Sequence, residues 1–128
     1  MRLALPCLAL LLVATTGAVA QESQEVSATA VVCTQIVDNS CEGASSRFSA
    51  AVGKLFGFSQ VAGVPDRLIH VWFYGDKELG RIAMHAAKAN RWRCWSNVTV
   101  NKSMTGKWRL EARTPDGKVL SSFSFTVQ

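Results

Sequence analysis

Apolar and polar residues alternate with a period of two along the C-terminal third of the chain. In "KWRLEAR" (107–113) every second residue is apolar and the others are charged, and "SSFSFTVQ" (121–128) alternates Phe and Val with Ser and Thr. This alternation predicts two β-strands, each with one face in water. Between them, "TPDGK" supplies Pro115, Asp116 and Gly117, which favour a tight turn, so the two strands are predicted to form a hairpin.

Similar patterns predict further strands upstream, in "SATAVVCTQIV" (27–37), "KLFGFSQV" (54–61), "RLIHVWFY" (67–74) and "WRCWSNVTV" (92–100). The segment "ELGRIAMHAAKAN" fits either a strand or a helical stripe. A strand over 78–85 is favoured because the segment follows the turn "GDKE". About seven strands in roughly 100 residues predict an all-β fold, an antiparallel immunoglobulin-like β-sandwich.

The N-terminus has a different pattern, with Arg2 followed by the apolar run "LALPCLALLLVA" and the small-residue end "TTGAVA". This pattern predicts a signal peptide over 1–20 that is cleaved after Ala20, leaving one domain over 21–128. The protein is therefore expected to be exported to the periplasm or beyond the cell. The apolar run is shorter than the ~20 residues that span a bilayer, and we expect no transmembrane segment in the mature chain.

Charge is distributed unevenly between the two halves of the mature chain. Residues 21–64 carry 2 basic and 4 acidic side chains, whereas residues 65–128 carry 11 and 5. A basic half in an exported protein favours acidic partners, although such charge can also serve solubility alone. The predicted partner is an acidic or sugar-containing envelope component or an envelope protein. Nucleic acid is not expected, because export argues against it.

Three cysteines remain after cleavage, namely Cys33, Cys41 and Cys94. An oxidising compartment predicts at least one disulfide, and an odd number leaves one thiol over. The pair Cys33 and Cys41 is favoured because the segment between them, "TQIVDNS", contains turn-forming residues. Cys94 would then be a buried free thiol or an intermolecular partner. No metal site is expected, because these cysteines lack zinc-site spacing and the two histidines show no pairing motif.

The hexapeptide "RWRCWS" (91–96) contains two arginines and two tryptophans. Extending the alternation of Val98 and Val100 backwards places Trp92 and Cys94 in the core. The outward residues then form a candidate aromatic and cationic binding surface: Arg91, Arg93 and Trp95. The alternative is a surface contact in which Arg93 merely stacks on Trp95.

A second candidate lies in "LIHVWFY", where His70, Trp72 and Tyr74 share one face of a strand. These side chains could line a groove for a sugar or an aromatic ligand. The alternative is packing on both faces, because the opposite face is also apolar and the strand is then central. A half-buried, hydrogen-bonded His70 is the alternative to one whose charge responds to pH.

The succession "HVWFYGDKELGRI", "RWRCWS" and "TGKWRLEARTPDGKVLSSFSFTV" resembles the bacterial domain-of-unknown-function family 2914, with a family-like core over about 66–128. The residues that carry the resemblance are His70, Trp72, Arg91, Trp92, Arg93, Trp95, Ser96, Thr105, Gly106, Trp108, Arg109, Gly117, Leu120, Phe125 and Val127. The resemblance implies a bacterial exported or envelope-associated domain. It implies no activity, since none defines the family.

The chain contains no Gly-x-Ser-x-Gly elbow, no metal-ligand spacing, no phosphate-binding glycine loop and no paired-carboxylate motif. We therefore expect a noncatalytic binding or interaction module of the periplasm or cell envelope, with no cofactor. The alternative is a small exported hydrolase whose site is assembled only in three dimensions. A cleft that brings His70 or His85 to a hydroxyl or a carboxylate would favour the hydrolase.

Overall fold

The structure is a computed structural model that describes residues 26–63, 67–88 and 91–128. The predicted signal peptide, residues 1–20, lies outside the described residues. The strands in chain order are β1 (Ser27–Cys33), β2 (Gln35–Val37), β3 (Ser40–Glu42), β4 (Arg47–Phe48), β5 (Lys54–Ala62), β6 (Leu68–Tyr74), β7 (Lys77–Met84), β8 (Arg93–Thr99), β9 (Gly106–Arg113) and β10 (Val119–Val127). A single turn of 3-10 helix, Ala50–Val52, precedes β5.

The strands form two facing sheets and one small hairpin. One sheet has the order β1-β5-β8, the other β4-β10-β9-β6-β7, and β2 pairs with β3. The order β1-β5-β8 opposite β10-β9-β6-β7 corresponds to strands A-B-E and G-F-C-C′ of immunoglobulin-like sandwiches. The all-β prediction is confirmed, with seven strands of seven to nine residues and three short ones among the described residues.

Two details refine the predicted fold. The edge strand β4 pairs with β10 in parallel over two residues, whereas the other paired strands are antiparallel. The strand favoured over 78–85 is present as β7, which ends at Met84, and residues 89–90 of the ambiguous segment lie outside the described residues. The register of β7 with β6 shifts between Trp72 and Phe73, which leaves Leu79 as a bulge.

The turns form where the sequence placed them. Asp38 and Asn39 both have positive φ, at 48° and 58°, which is the pattern of a type I′ turn between β2 and β3. In the β9–β10 hairpin, Gly117 has a φ of 95°, and the Thr114 amide donates to the carbonyl of Lys118 at 2.9 Å. A residue with a side chain adopts that φ only with strain, so Gly117 permits this turn.

The core lies between the inner faces of the two sheets. Its aromatic centre is Phe125 on β10, whose ring meets Trp108 in a stacked arrangement at 5.8 Å and Trp72 edge-on at 6.3 Å. Phe48 of β4 meets Phe125 edge-on from the sheet margin, also at 5.8 Å. Such pairs contribute about 0.5–1.5 kcal/mol each beyond the burial of their area.

Gly57 on β5 allows the close approach of the two sheets at Trp72. A Cβ atom at position 57 would lie 2.7 Å from Trp72 Cζ2 and 2.6 Å from Leu110 Cδ2. The indole of Trp72 therefore occupies the space that any larger residue at this position would need. The absence of a side chain on β5 accommodates the largest side chain of β6.

A disulfide joins Cys33 at the end of β1 to Cys41 in β3, with the Cα atoms 5.8 Å apart. This is the pair that the sequence favoured, and it attaches the β2–β3 hairpin to the smaller sheet. Arg93 holds the tip of the same hairpin, because its Nη1 donates to the carbonyl oxygen of Asn39 at 3.0 Å. Cys94 is a buried free thiol, and burial raises the pKa of that thiol to about 11.

Replacing both cysteines of the disulfide with alanine, Cys33→Ala and Cys41→Ala, should lower the free energy of unfolding by about 2.5 kcal/mol, because the short closed loop no longer restricts the unfolded chain. Urea unfolding of the two proteins measures the difference. A reducing agent should destabilise the wild type and leave the double variant unchanged. A non-reduced peptide map that links Cys94 to Cys33 or Cys41 would contradict the assigned pair.

Candidate functional site

Four polar side chains form a hydrogen-bonded set inside the core. His70 on β6 lies between two serines of the opposite sheet, with Nε2 at 2.7 Å from Ser59 Oγ and Nδ1 at 2.7 Å from Ser96 Oγ. Trp72 Nε1 donates to Ser96 Oγ at 3.1 Å. All four side chains are buried, and His70 and Ser59 have no exposed surface. The set connects β6 of the larger sheet to β5 and β8 of the smaller sheet.

The hydrogen bonds of this set fit a neutral imidazole. A neutral ring has one N–H and one acceptor nitrogen, so one serine hydroxyl donates to the ring and the other accepts from it. A charged imidazolium would donate from both nitrogens, and both serine protons would then need acceptors outside the set. Burial accordingly lowers the pKa of His70 from 6.5 to about 4.

This arrangement contains part of a hydrolase site and lacks the rest. A serine hydroxyl within 2.7 Å of a histidine is the relation between a nucleophile and its base. In such sites a third group, usually a carboxylate, orients the base, but here the second ring nitrogen meets the hydroxyl of Ser96. The set also lies in the core, where Ser59 and His70 have no exposed surface.

The six residues singled out from the sequence do not come together. His70 and Trp72 face the core and are 0 % and 1 % exposed, so they line no open groove. Tyr74, on the same face of β6, is partly buried, and its hydroxyl donates to the carbonyl of Thr105 at 2.6 Å. The structure agrees with the alternative given for this strand, because β6 lies between β7 and β9 and its buried residues occupy both faces.

The other three candidates lie on or near the outer face of the smaller sheet. Trp95 is half-buried and stacks parallel to Phe58 of β5, with ring centres 6.4 Å apart and planes 9° apart. Arg93, two residues earlier on β8, shares this outer face and reaches the hairpin at Asn39. Phe58, Arg93 and Trp95 are referred to here as the aromatic face. Arg91 is exposed on the turn before β8.

The alternation along β8 is as predicted, but it stops at the start of the strand. Cys94 and Ser96 face the core and Trp95 faces outward. Trp92 packs against the core but is only partly buried, because it precedes β8 on a turn. Both Arg91 and Trp92 have positive φ, at 58° and 59°, so the strand period does not apply to them.

Sequence reasoning missed a second surface, the outer face of the larger sheet. Cross-strand register places five cationic side chains on it: Arg47 of β4, Arg81 of β7, and Lys107, Arg109 and Arg113 of β9. Three hydroxyl residues of β10 lie between β4 and β9 on the same face, namely Ser122, Ser124 and Thr126. This surface is referred to here as the basic face. The signal for this surface is the row of charged positions in "KWRLEAR", from which the two-residue period predicts only that one face of the strand is in water.

The arginines of the basic face cover an apolar stripe. Arg109 lies with its guanidinium carbon 4.1 Å from the ring centre of Phe73, and the corresponding carbon of Arg113 lies 5.8 Å from it. Glu111 lies between them, forming an ion pair with Arg113 and a longer contact with Arg109 Nε at 3.5 Å. The long arginine side chains bury the phenyl ring while their charged ends stay accessible.

Within the described ranges, no group of three or more His, Cys, Asp or Glu residues could hold a metal ion. The same residues include no helix that is long and apolar enough to cross a membrane.

Comparison with known families gives one match. Residues 65–127 match the model of a family described as a protein of unknown function, DUF2914. Over these residues the chain resembles the DUF2914 family. The match confirms the resemblance noted from the sequence and adds no activity. Three members of the buried polar set, His70, Trp72 and Ser96, are among the residues that carry the DUF2914 resemblance, so part of that pattern is the interior of the fold.

No curated protein sequence matches the chain. Among solved structures, a β-glucosidase from Kluyveromyces marxianus in complex with glucose aligns with a TM-score of 0.42, and a Se-Met labelled crystal of this enzyme with 0.41. Each alignment has 10 % identity and covers 81 % of this chain but 14 % of the enzyme chain. Likenesses at this TM-score carry no argument about the DUF2914-like segment or its activity.

The buried histidine predicts a loss of stability in acid. In the unfolded chain His70 takes up a proton near pH 6.5, whereas the folded protein resists protonation down to about pH 4. Stability should therefore fall as the pH drops from 6.5 to 4, by about 3 kcal/mol from this residue alone. Urea unfolding across this pH range measures the slope.

His70→Gln should be less stable than the wild type at pH 7 but should show a flatter pH dependence. The matched control is His85→Gln, since His85 is exposed and outside the set. Equal slopes for the wild type and the His70 variant would contradict the assignment.

Proposed function

We propose that the protein is an exported, noncatalytic binding module that recognises an acidic component of the bacterial cell envelope. The observation that carries the proposal is the basic face, which displays five cationic side chains and two acidic ones, Glu78 and Glu111. Both glutamates are already paired with arginines of the same face, Glu78 with Arg81 and Glu111 with Arg113. The surplus of positive charge therefore lies on one flat side of the molecule.

A face of this kind attracts acidic partners and orients them. Charges of one sign on one side of a small protein steer encounter with an oppositely charged surface, and the effect weakens as salt is added. Three of the five cations are on β9, whose alternate residues Trp108, Leu110 and Ala112 lie in the core, so these charged groups sit on a rigid support. Arg109 and Arg113 are held further by their contacts with Phe73 and Glu111.

The location is supported by three separate features. The N-terminal sequence has the pattern of a signal peptide, and the structure contains a disulfide, which persists in oxidising compartments. The DUF2914 resemblance implies an exported or envelope-associated domain. The noncatalytic part of the proposal is supported by the burial of the serine and histidine set and by its lack of a carboxylate.

The aromatic face is a second candidate surface, suited to a sugar-containing partner. The observation that favours it is the parallel stack of the half-buried Trp95 on Phe58, which leaves part of the indole accessible beside Arg93. A flat indole next to a guanidinium group can pack against a sugar ring and also attract its acidic substituents. It is the surface predicted from "RWRCWS", without Arg91 and with Phe58 added.

Removing two charges from the basic face, with Arg81→Gln and Arg113→Gln, should weaken binding to acidic envelope material about tenfold or more, since each cation near an anionic surface contributes about 1 kcal/mol. The probes are vesicles of phosphatidylglycerol and phosphatidylcholine, and lipopolysaccharide, measured by cosedimentation at low and high salt. The matched control is Lys54→Gln with Lys118→Gln, which removes the same charge elsewhere. Absence of wild-type binding at low salt, or an equal loss in the control, would contradict the proposal.

Trp95→Ala should reduce stability by about 1 kcal/mol, because it removes the stack on Phe58. If the aromatic face binds sugar, the same change should abolish cosedimentation with peptidoglycan. Arg91→Gln is the matched control, because Arg91 is adjacent but lies on the turn. Retained binding by a folded Trp95→Ala variant would leave this stack with a structural role only.

A further inference from the structure

One end of the basic face contains a pocket of about 550 Å³. Three cationic side chains and three hydroxyl side chains line it: Arg47, Lys107, Arg109, Ser46, Ser124 and Thr126. Pockets of this size hold small organic molecules, and a few convergent polar groups usually fix the orientation of the ligand. Neither the sequence pattern nor the family resemblance assigns a role to this pocket.

The register of three adjacent strands brings these groups together. Thr126 of β10 is paired with Arg47 of β4 on one side and with Lys107 of β9 on the other. Ser124, two residues earlier, is paired with Arg109. Neighbouring strands are about 4.8 Å apart, so the three cations arise from a patch about 10 Å wide, within reach of one small ligand.

Ion pairs among the described residues leave most of the positive charge of the pocket unneutralised. Among the described residues, the side chains of Arg47 and Lys107 have no hydrogen bond or ion pair. Among the described residues, Arg109 contacts Glu111 only through Nε, at 3.5 Å, and its guanidinium carbon lies 4.1 Å from the centre of the Phe73 ring. Its two terminal nitrogens have no acceptor in the described parts of the chain.

The pocket also contains one carboxylate, Asp76, from the turn after β6. Asp76 forms no salt bridge with any cation of the described residues. Three cations and one carboxylate give a charge of +2, which complements a phosphate group, whose charge at pH 7 is about −1.5 to −2. The free carboxylate is an acceptor for hydroxyl groups on the same ligand.

We propose that this pocket binds a phosphomonoester of a hydroxylated compound, a sugar phosphate or polyol phosphate. Arg109 and Arg47 would each offer two parallel N–H groups to the phosphate oxygens, with Lys107 as a further charge and the three hydroxyls as donors. Asp76 would accept from a hydroxyl of the organic part. The inference deepens the proposed function and rests on it, because it names the acidic group that the basic face recognises.

The test is calorimetric titration of the full chain with glucose 6-phosphate and glycerol 3-phosphate, beside inorganic phosphate, glucose and glycerol. We expect both esters to bind, inorganic phosphate to bind more weakly, and the neutral compounds not to bind. The ratio of the two affinities distinguishes the sources of the phosphate, because a sugar phosphate resembles glucose 6-phosphate and a polyol phosphate resembles glycerol 3-phosphate. Arg109→Gln should weaken ester binding about tenfold or more, since a hydrogen bond to a charged group contributes at least that factor.

Lys107→Gln provides an independent variant, because Lys107 is exposed and its replacement should not affect folding. It should also weaken the esters, while Lys118→Gln, an exposed lysine outside the pocket, should not. Asp76→Asn should weaken the esters and leave inorganic phosphate unchanged or tighter. This last variant separates recognition of the organic part from simple attraction of an anion.

The proposal is overturned if neither ester binds, or if Arg109→Gln and Lys107→Gln bind as well as the wild type. It is also overturned if inorganic phosphate binds as tightly as the esters and Asp76→Asn changes neither. If the esters do not bind but vesicles or lipopolysaccharide still do, and the variant with Arg81→Gln and Arg113→Gln no longer binds them, the pocket proposal fails and the proposed function stands. Ester binding without any binding to envelope material supports the pocket and contradicts the proposed function.

Discussion

The contact between His70 and the two serines is the constraint on which the rest of the structure depends. It is a polar link through an apolar core, and it is satisfied only when β6 faces β5 and β8 in one alignment. Shifting one sheet by a residue would leave a buried imidazole and two hydroxyls without partners, at a cost of about 1–3 kcal/mol for each unpaired group. The link therefore selects the alignment that apolar packing alone leaves less defined.

The same alignment determines what the outer surface shows. Successive residues of a strand point to opposite faces, so once His70 and Trp72 face inward, Val71 and Phe73 must face outward. The neighbouring β9 follows, with Leu110 in the core and Arg109 and Glu111 outside. The basic face is thus the reverse side of the strands that build the core, and its geometry depends on the interior contacts.

Local features of the fold could be predicted from the sequence, because they depend on residues close together in the chain. The two-residue period located β9, β10 and most of β8, and the turn residues located the turns of the β2–β3, β6–β7 and β9–β10 hairpins. The pairing of strands distant in the chain could not be predicted in the same way. The encounters of Ser59 with His70 and of Arg47 with Lys107 depend on which strands become neighbours. The two-residue period of β8 places Trp92 in the core. However, the chain has positive φ at this residue, and the period does not apply there.

The missing side chain at Gly57 restricts how this sequence can vary. Because the indole of Trp72 fills the space beside it, the two positions are coupled in size, although they lie on different sheets. A larger residue at 57 fits only when the residue at 72 is smaller and the side chain of Leu110 also moves, and a smaller residue at 72 alone leaves a cavity. Either single substitution gives a poorly packed protein, so we expect the residues at positions 57 and 72 to change together.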